Sequence, residues 1–314
     1  METLSPEEVL QNLRCQTRYA QNKYLAMYST WLGGVVTDPA LMSVPVDDHM
    51  VHRGDGVFET FRSRGKQLLE IEAHLHRLER SANSLGISLP KTMDEIYTIC
   101  KELLAFDKGK DVLFRLYVSR GPGGFTTNPY ECLSSQLYLV MTEFVPYSKK
   151  KYESGVTVVA SHILAKPPPF VQFKSCNYLP NVMMKKEAID REVDFTVCFT
   201  EEGFLGEGSG ENILIVTSQK EVLAPLFDYT LQGTTLLRVL ELARSEIAGS
   251  LGLTRVDVAN LRREDLDQAE EVMLAGTAIG LLPVIKWEGQ KIGRGVPGPV
   301  FKLLHKKLVD FYGD

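Results

Sequence analysis

Lys174 stands in Phe173-Lys174-Ser175-Cys176-Asn177-Tyr178-Leu179-Pro180, a run of apolar and neutral polar residues with a tyrosine four positions on. The run lies between the turn Pro167-Pro168-Pro169 and a helical stretch, Val182 to Ala188. A lysine held where water is scarce has a lowered pKa, and its amine can attack a carbonyl to form a Schiff base. A lysine beside an aromatic residue more often lays its stem along apolar surface and keeps its head in water. The rest of the chain bears on which of these holds. A phosphate needs backbone N–H groups and hydroxyls at a helix start, with a cation nearby. Gly233-Thr234-Thr235 opens the most regular amphipathic run and either seats such a group or caps an ordinary helix. Ala275-Gly276-Thr277-Ala278 ends an apolar run and offers a second hydroxyl with a close backbone approach. Arg77 is either the bidentate cation or a surface helix arginine.

An aromatic nitrogen heterocycle used as an electron sink works best protonated, which calls for a carboxylate beside it. Gly206-Glu207-Gly208-Ser209-Gly210-Glu211-Asn212 reads as a glycine-rich turn between strands, and Glu207 is its candidate. Tyr178 is placed to donate to a ring oxygen. His49, His52, His74 and His76 lack the acid spacing of a metal site, so no metal is expected. Cys176 reads as a small buried apolar group.

The elements that must position these residues follow from patterning. Ser5-Pro6-Glu7-Glu8 starts a helix running to about Ala20. Met27 to Val36 reads as a hairpin turning at Gly33-Gly34, and Val57 to Phe61 as a strand that pairs with Gln67 to Ile71. Helices are expected over His74 to Leu85 and Met93 to Phe106, with strands over Val112 to Ser119 and Gln136 to Thr142. Pro146 to Lys151 is a polar break and the expected domain boundary. Beyond it come strands Gly155 to His162, Phe195 to Thr200, Asn212 to Thr217 and the apolar run Val272 to Gly276. Helices are expected over Thr234 to Ala248 and Val300 to Phe311. With 314 residues, 44% apolar, the chain can bury the cores of two α/β domains. A net charge of -5 argues against nucleic acid as a partner. Five cysteines without a Cys-x-x-Cys pair suit reduced thiols, and the acidic N-terminus has no signal-peptide order, so a cytoplasmic protein is expected.

Gly54-Asp55-Gly56-Val57-Phe58-Glu59-Thr60, His74-Leu75-His76-Arg77-Leu78, Lys174 through Leu179, Glu207-Gly208 with Asn212, Gly233-Thr234-Thr235 and Gly276-Thr277-Ala278 occur in one order. Together, over about residues 27 to 312, they resemble the class IV (fold type IV) pyridoxal-phosphate aminotransferases. Asp47 to Gly54, Lys174 to Val182 and Pro283 to Trp287 look most like the plant-type D-amino-acid aminotransferase and aminodeoxychorismate lyase group.

The resemblance implies an α/β (α+β) two-domain fold with the cofactor between the domains. Residues 1–26 form a helical extension, 27–148 a small N-terminal domain and 149–314 a larger domain carrying the cofactor lysine. It implies that Lys174 carries pyridoxal 5'-phosphate and shuttles the proton at the substrate Cα. Arg77, Gly233, Thr234, Thr235 and Thr277 would hold the phosphate; Glu207, with Asn212, would serve the pyridine nitrogen and Tyr178 the ring oxygen. Phe58 and Ala278 would line the substrate, and a homodimer is implied. Arg115 reads as an arginine inside an apolar strand, costly unless paired. With Arg53 it is the expected clamp for the substrate α-carboxylate, because Ser119-Arg120-Gly121 lacks the bacterial carboxylate trap. Ping-pong transamination of a D-amino acid with a 2-oxo acid is the expected reaction. Pyruvate-eliminating lyase and branched-chain aminotransferase chemistry stand as alternatives.

Overall fold

The computed structural model describes residues 1, 3–16, 21–247 and 249–313. The chain divides into two compact units, Met1–Val145 with Ser175–Asn177, and Pro146–Lys174 with Tyr178–Asp314.

In the first unit, α1 (Pro6–Cys15) begins behind a capping box in which Glu8 N donates to Ser5 Oγ and Ser5 N donates to the Glu8 carboxylate. It stops short of Ala20, which lies outside the described residues, and buries none of its side chains. β1 (Tyr24–Ser29) and β2 (Gly34–Val36) make the expected hairpin, β1 starting at Tyr24 rather than Met27. A short α2 (His49–Arg53) follows, then β3 (Gly56–Arg64), β4 (Gln67–Leu68), α3 (Ile71–Ser84), α4 (Met93–Leu103), β5 (Val112–Ser119) and β6 (Gln136–Glu143). The strands form an antiparallel sheet in the order β2-β1-β6-β5-β3-β4.

Strand alternation gives this sheet two unlike faces. Val57 and Phe61 of β3, Phe114, Leu116 and Val118 of β5, and Leu137, Leu139 and Met141 of β6 pack with Leu75, Leu78, Ile96 and Cys100 of the two helices. Burying each of the large side chains contributes roughly 2 kcal/mol. The other face presents Phe58, Thr60, Arg115, Tyr117 and Val140, none of them fully buried. Arg115 is therefore not inside the apolar layer. It sits opposite Thr60 and Val140 and is exposed, so the cost that the sequence attaches to it does not arise.

Glu59 lies on the helix-covered face of β3 between Val57 and Phe61, and is 0% exposed. An unpaired carboxylate there would cost several kcal/mol. Two residues one turn apart on α3 compensate it. Arg77 Nε and Nη2 donate to Oε1 and Oε2 at 2.6 and 2.7 Å, and His74 Nδ1 lies 2.7 Å from Oε2. Arg77 is thus buried, not on the surface. Burial alone would push the Glu59 carboxyl up; the Arg77 charge and the bonds from Arg77 and His74 outweigh it and bring it down to about 2.

The second unit contains α5 (Lys149–Ser154), β7 (Val156–Ala160), α6 (Leu179–Asp190), β8 (Phe195–Phe199), β9 (Leu205–Gly208), β10 (Asn212–Val216) and β11 (Glu221–Pro225). It continues with α7 (Thr234–Arg244), β12 (Arg255–Ala259), α8 (Arg263–Asp267), β13 (Glu271–Gly276), β14 (Gly280–Trp287), β15 (Gln290–Lys291) and α9 (Pro299–Tyr312). The expected polar break at Pro146–Lys151 holds the start of α5, where Lys151 pairs with Asp194. The Thr234 helix ends at Arg244, and Ala248 lies outside the described residues. The sheet runs β12-β11-β10-β13-β14-β7-β8-β9 with β15 on β14. Pairs β11–β12, β14–β7 and β7–β8 are parallel and the others antiparallel. Both faces of its centre are covered. Ile213, Ile215, Val272 and Leu274 join one core, while Leu214, Val216, Met273 and Ala275 join another beneath α7 and α9. Such strands read as unbroken apolar runs.

The buried ion pair generates a stability prediction. Glu59→Gln leaves Arg77 charged without its carboxylate, and should lower the unfolding free energy by about 3 kcal/mol at neutral pH. The folded-state carboxyl is depressed, so its contribution is present above the ordinary value of 4.5 and is lost as pH falls toward 2. Denaturant melts of both proteins should therefore converge between pH 4.5 and 2. A gap that stays constant with pH would show that the pair carries no such linkage.

Candidate active site

Glu207 belongs to β9, not to a turn; the turn is confined to the residues after Gly208. Its Oε2 accepts from Thr230 Oγ1 at 2.9 Å, from Leu231 N at 2.9 Å and from Asn212 Nδ2 at 3.4 Å. Asn212, the first residue of β10, also donates to Thr230 Oγ1 and to Leu231 O, each at 2.8 Å. Oε1 takes none of these three bonds, so the carboxylate is oriented by one oxygen and presents the other. Glu211 instead folds back on its own turn, accepting from Gly210 N at 3.0 Å. The hydrogen bonds thus set Glu207 apart from Glu211.

The same corner holds the start of α7. Gly233 is its N-cap and has no side chain to cap it, while Thr234 and Thr235 in the first turn are buried. A Cβ at Gly233 would lie 1.9 Å from Asn212 Oδ1, so only glycine fits beside the Glu207 clamp. Asn212 pairs with Ala275 across the sheet, which brings the Gly276-Thr277-Ala278 turn between β13 and β14 to the same end. Thr277 there is half-buried and Ala278 exposed. A helix start capped by no side chain at Gly233, threonine hydroxyls and a carboxylate with one oxygen outside the three bonds found among the described residues suit a phosphorylated heterocycle with a protonated ring nitrogen.

Lys174 is half-buried, and its Nζ lies 5.6 Å from the centre of the Tyr178 ring. Tyr178 is the N-cap of α6, and in the first turn of that helix Asn181 Nδ2 donates to Ser209 O at 2.9 Å, tying the helix start to the Glu207 hairpin. Lys166, which the sequence did not single out, has its Nζ 5.3 Å from the same ring. Its only signal in the chain was its place just before three prolines.

Between Lys174 and Tyr178 the chain passes through Ser175–Asn177, which is counted with the first unit. Ser175 bridges Val57, and Cys176 N donates to Gly56 O at 2.8 Å. The Gly54-Asp55-Gly56 motif serves this docking. Gly54 ends α2 at φ +67°, where a Cβ would also sit 3.2 Å from Asn177 Cα, and a Cβ on Gly56 would meet Val118 O at 2.9 Å. Cys176 is half-buried rather than enclosed. Asp55 takes Arg120 through two bonds of 2.6 and 3.0 Å, so the cation of the Ser119-Arg120-Gly121 turn is spent on structure.

Arg53, Phe58, Arg77 and Arg115 all belong to the first unit. Arg53 is exposed and donates to the carbonyls of His52 at 2.9 Å, Thr126 at 3.3 Å and Phe125. Phe58 stacks on Tyr117 with ring centres 6.0 Å apart. Arg115 makes a weak contact with Thr142 Oγ1 at 3.4 Å. A cavity of about 270 Å³ opens on that unit, lined by Met27, Met42, Met50, Tyr117, Tyr138 and Val140, among others. Among the described residues there is no metal-binding cluster and no helix long and apolar enough to cross a membrane. The cysteines are free thiols.

This fold and this site define the class. The sequence pattern described as Amino-transferase class IV matches residues 56–287, and the chain belongs to that family of pyridoxal-phosphate-dependent transaminases. It is 38% identical to the chloroplastic D-amino-acid transaminase of Arabidopsis thaliana, over 92% of this chain and 76% of that one. It is 30% identical to a putative branched-chain-amino-acid aminotransferase of Methanocaldococcus jannaschii, over 89% and 95% of the two chains. The solved branched-chain amino acid aminotransferase of Escherichia coli shares the fold at a TM-score of 0.82, with 25% identity over 93% of this chain and 94% of that one.

The packing at Gly233 can be tested directly. Gly233→Ala must displace Asn212, and with it the donors on Glu207 Oε2. Such overpacking costs about 1–3 kcal/mol, so affinity for pyridoxal 5'-phosphate should fall about tenfold or more in a fluorescence titration. Unchanged affinity would mean that the Asn212 clamp has no part in holding the cofactor.

Proposed function

We propose that the protein transfers an amino group from a D-amino acid such as D-alanine to a 2-oxo acid by a ping-pong reaction. The observation that carries the cofactor's orientation is the Glu207 carboxylate, held among the described residues through Oε2 and set beside the start of α7. When bound, pyridoxal 5'-phosphate supplies the aldehyde that accepts the amino group and the ring that delocalises the electrons left at Cα.

The chain's own residues do the rest. Thr234 and Thr235 at the helix start, Thr277 and Arg77 bind the phosphate. Glu207 Oε1 holds the proton on the ring nitrogen, with Asn212 fixing the carboxylate. Tyr178 donates to the ring oxygen. The Lys174 amine would hold the aldehyde and, when the substrate amine occupies that position, would be the base that takes the proton from the substrate Cα. Its seat over the Tyr178 ring and its anchoring through Ser175–Asn177 limit the arc that Nζ can sweep.

Arg53 and Arg115 bind the substrate α-carboxylate, and Phe58 and Ala278 are further substrate-binding residues. Supporting this, neither guanidinium has a carboxylate within 4 Å among the described residues, and both are exposed. The similarity to the Arabidopsis D-amino-acid transaminase favours a D-substrate. The apolar cavity beside Tyr117 and the likeness to branched-chain enzymes favour a second reading, an aliphatic branched-chain amino acid. We further propose a homodimer working in the cytoplasm, where the free cysteines would stay reduced.

D-Alanine added without an amino acceptor should convert the lysine-bound cofactor band to that of the aminated cofactor and release one equivalent of pyruvate. L-Leucine doing so instead would establish the second reading, and pyruvate release from aminodeoxychorismate alone would point to a lyase. Arg53→Ala and Arg115→Ala should each raise KM for the amino donor about tenfold or more, as expected for a lost charge-assisted pair. An unchanged KM in both would remove the arginines from the site.

A further inference from the structure

Lys166 shares the Tyr178 ring with Lys174, their Nζ atoms lying 5.3 and 5.6 Å from its centre. The position is fixed by the backbone, since Ala165 N donates to Phe199 O at 2.9 Å and pins the Lys166 segment to the end of β8. Lys166 also lines a small cavity of about 10 Å³ together with Asn181, Cys198 and Glu207. The Oδ1 of Asn181, in a residue only 5% exposed, is buried and has no hydrogen-bond partner among the described residues. A buried acceptor oxygen and a carboxylate around one small space favour a cation between them. The groups facing Lys166 are Glu207 on β9, Cys198 on β8, Tyr178 at the start of α6 and, on the same ring, Lys174. Burial pushes the Lys166 ammonium down from its ordinary value, with Glu207 and Cys198 opposing. Burial likewise pushes the Cys198 thiol up to about 12, which keeps it neutral at working pH.

We propose that Lys166 is a positioning residue of this site, a second cation beside the Tyr178 ring whose charge sets the proton affinity of the nitrogen at Lys174. The inference rests on the reading that Lys174 binds the cofactor aldehyde. A fixed positive charge disfavours a second proton nearby, so a neighbouring ammonium lowers the pH at which the cofactor-bound nitrogen gives up its proton. A lysine beside another cation is activated in this way. Among the described residues Lys166 has no carboxylate within salt-bridge reach.

The test is a pH titration of the lysine-bound cofactor's visible band in the holoenzyme, for wild type, Lys166→Met and Lys166→Arg. Lys166→Met should move the midpoint upward by about one pH unit, the scale of one charge at such separations, and Lys166→Arg should leave it near the wild-type value. A midpoint unmoved in Lys166→Met, or moved equally by Lys166→Arg, overturns the proposal. Should Lys166→Met fail to fold or to retain cofactor, Lys166→Gln takes its place, with the same two outcomes. Borohydride reduction and peptide mapping of the wild type separates this from the underlying reading. A pyridoxyl mass on Lys174 upholds that reading whatever the midpoints do, whereas a mass on Lys166, or on neither lysine, sinks both.

Discussion

Two carboxylates, each removed in part or whole from water, impose the main electrostatic constraint on this molecule, and the chain meets it in opposite ways. Glu59 is fully enclosed and is given the Arg77 guanidinium together with a hydrogen bond to His74, so its charge is cancelled where it sits. Among the described residues Glu207 receives only neutral donors, a hydroxyl, an amide and a backbone N–H, all on one oxygen. Neutral donors orient a carboxylate without cancelling its charge. The first arrangement stabilises a fold; the second leaves a negative charge aimed and available, which is what a pyridine nitrogen needs in order to stay protonated.

Availability of that kind has to be protected from the chain's own cations. Lys185 lies over the Phe195 ring and Lys151 pairs with Asp194, so neither is spent on Glu207. Lys166 shares a cavity with it, and among the described residues does so without closing a salt bridge. An ammonium held at that range moderates the field around Glu207 and Lys174 while leaving Oε1 uncommitted. A direct ion pair would compete with the ring nitrogen for the same oxygen.

Much of the first unit was legible in the sequence because its sheet has one helix-covered face. Val57-Phe58-Glu59-Thr60-Phe61 alternates as its burial does, and the strand Val112–Ser119 was read with its observed ends. The second sheet is covered on both sides at its centre, so Asn212–Val216 and Glu271–Gly276 show as apolar runs whose facing is hidden. Leu205–Gly208 was missed as a strand because two of its residues are glycine, and composition there argues for a turn. Arg115 was misjudged for a related reason: its neighbours in sequence, Phe114 and Leu116, point to the opposite face.

The candidate site divides along the same line. Motif residues that meet through local geometry were visible: Gly233 with the helix it caps, and Glu207 with Asn212 across one short hairpin. Lys166 was not, since what marks it is a ring and an unpaired amide oxygen later in the chain, brought to it by the packing of α6 on β8. The glycine motif at the start of β3 shows the converse. Its spacing invites a chemical role, yet Gly54 and Gly56 act by having no side chains, which lets Ser175–Asn177 lie against the strand and so fixes the backbone next to Lys174. A nucleophile's reach is set by its backbone as much as by its pocket. Residues that contribute only space can therefore govern the chemistry of a lysine far away in sequence.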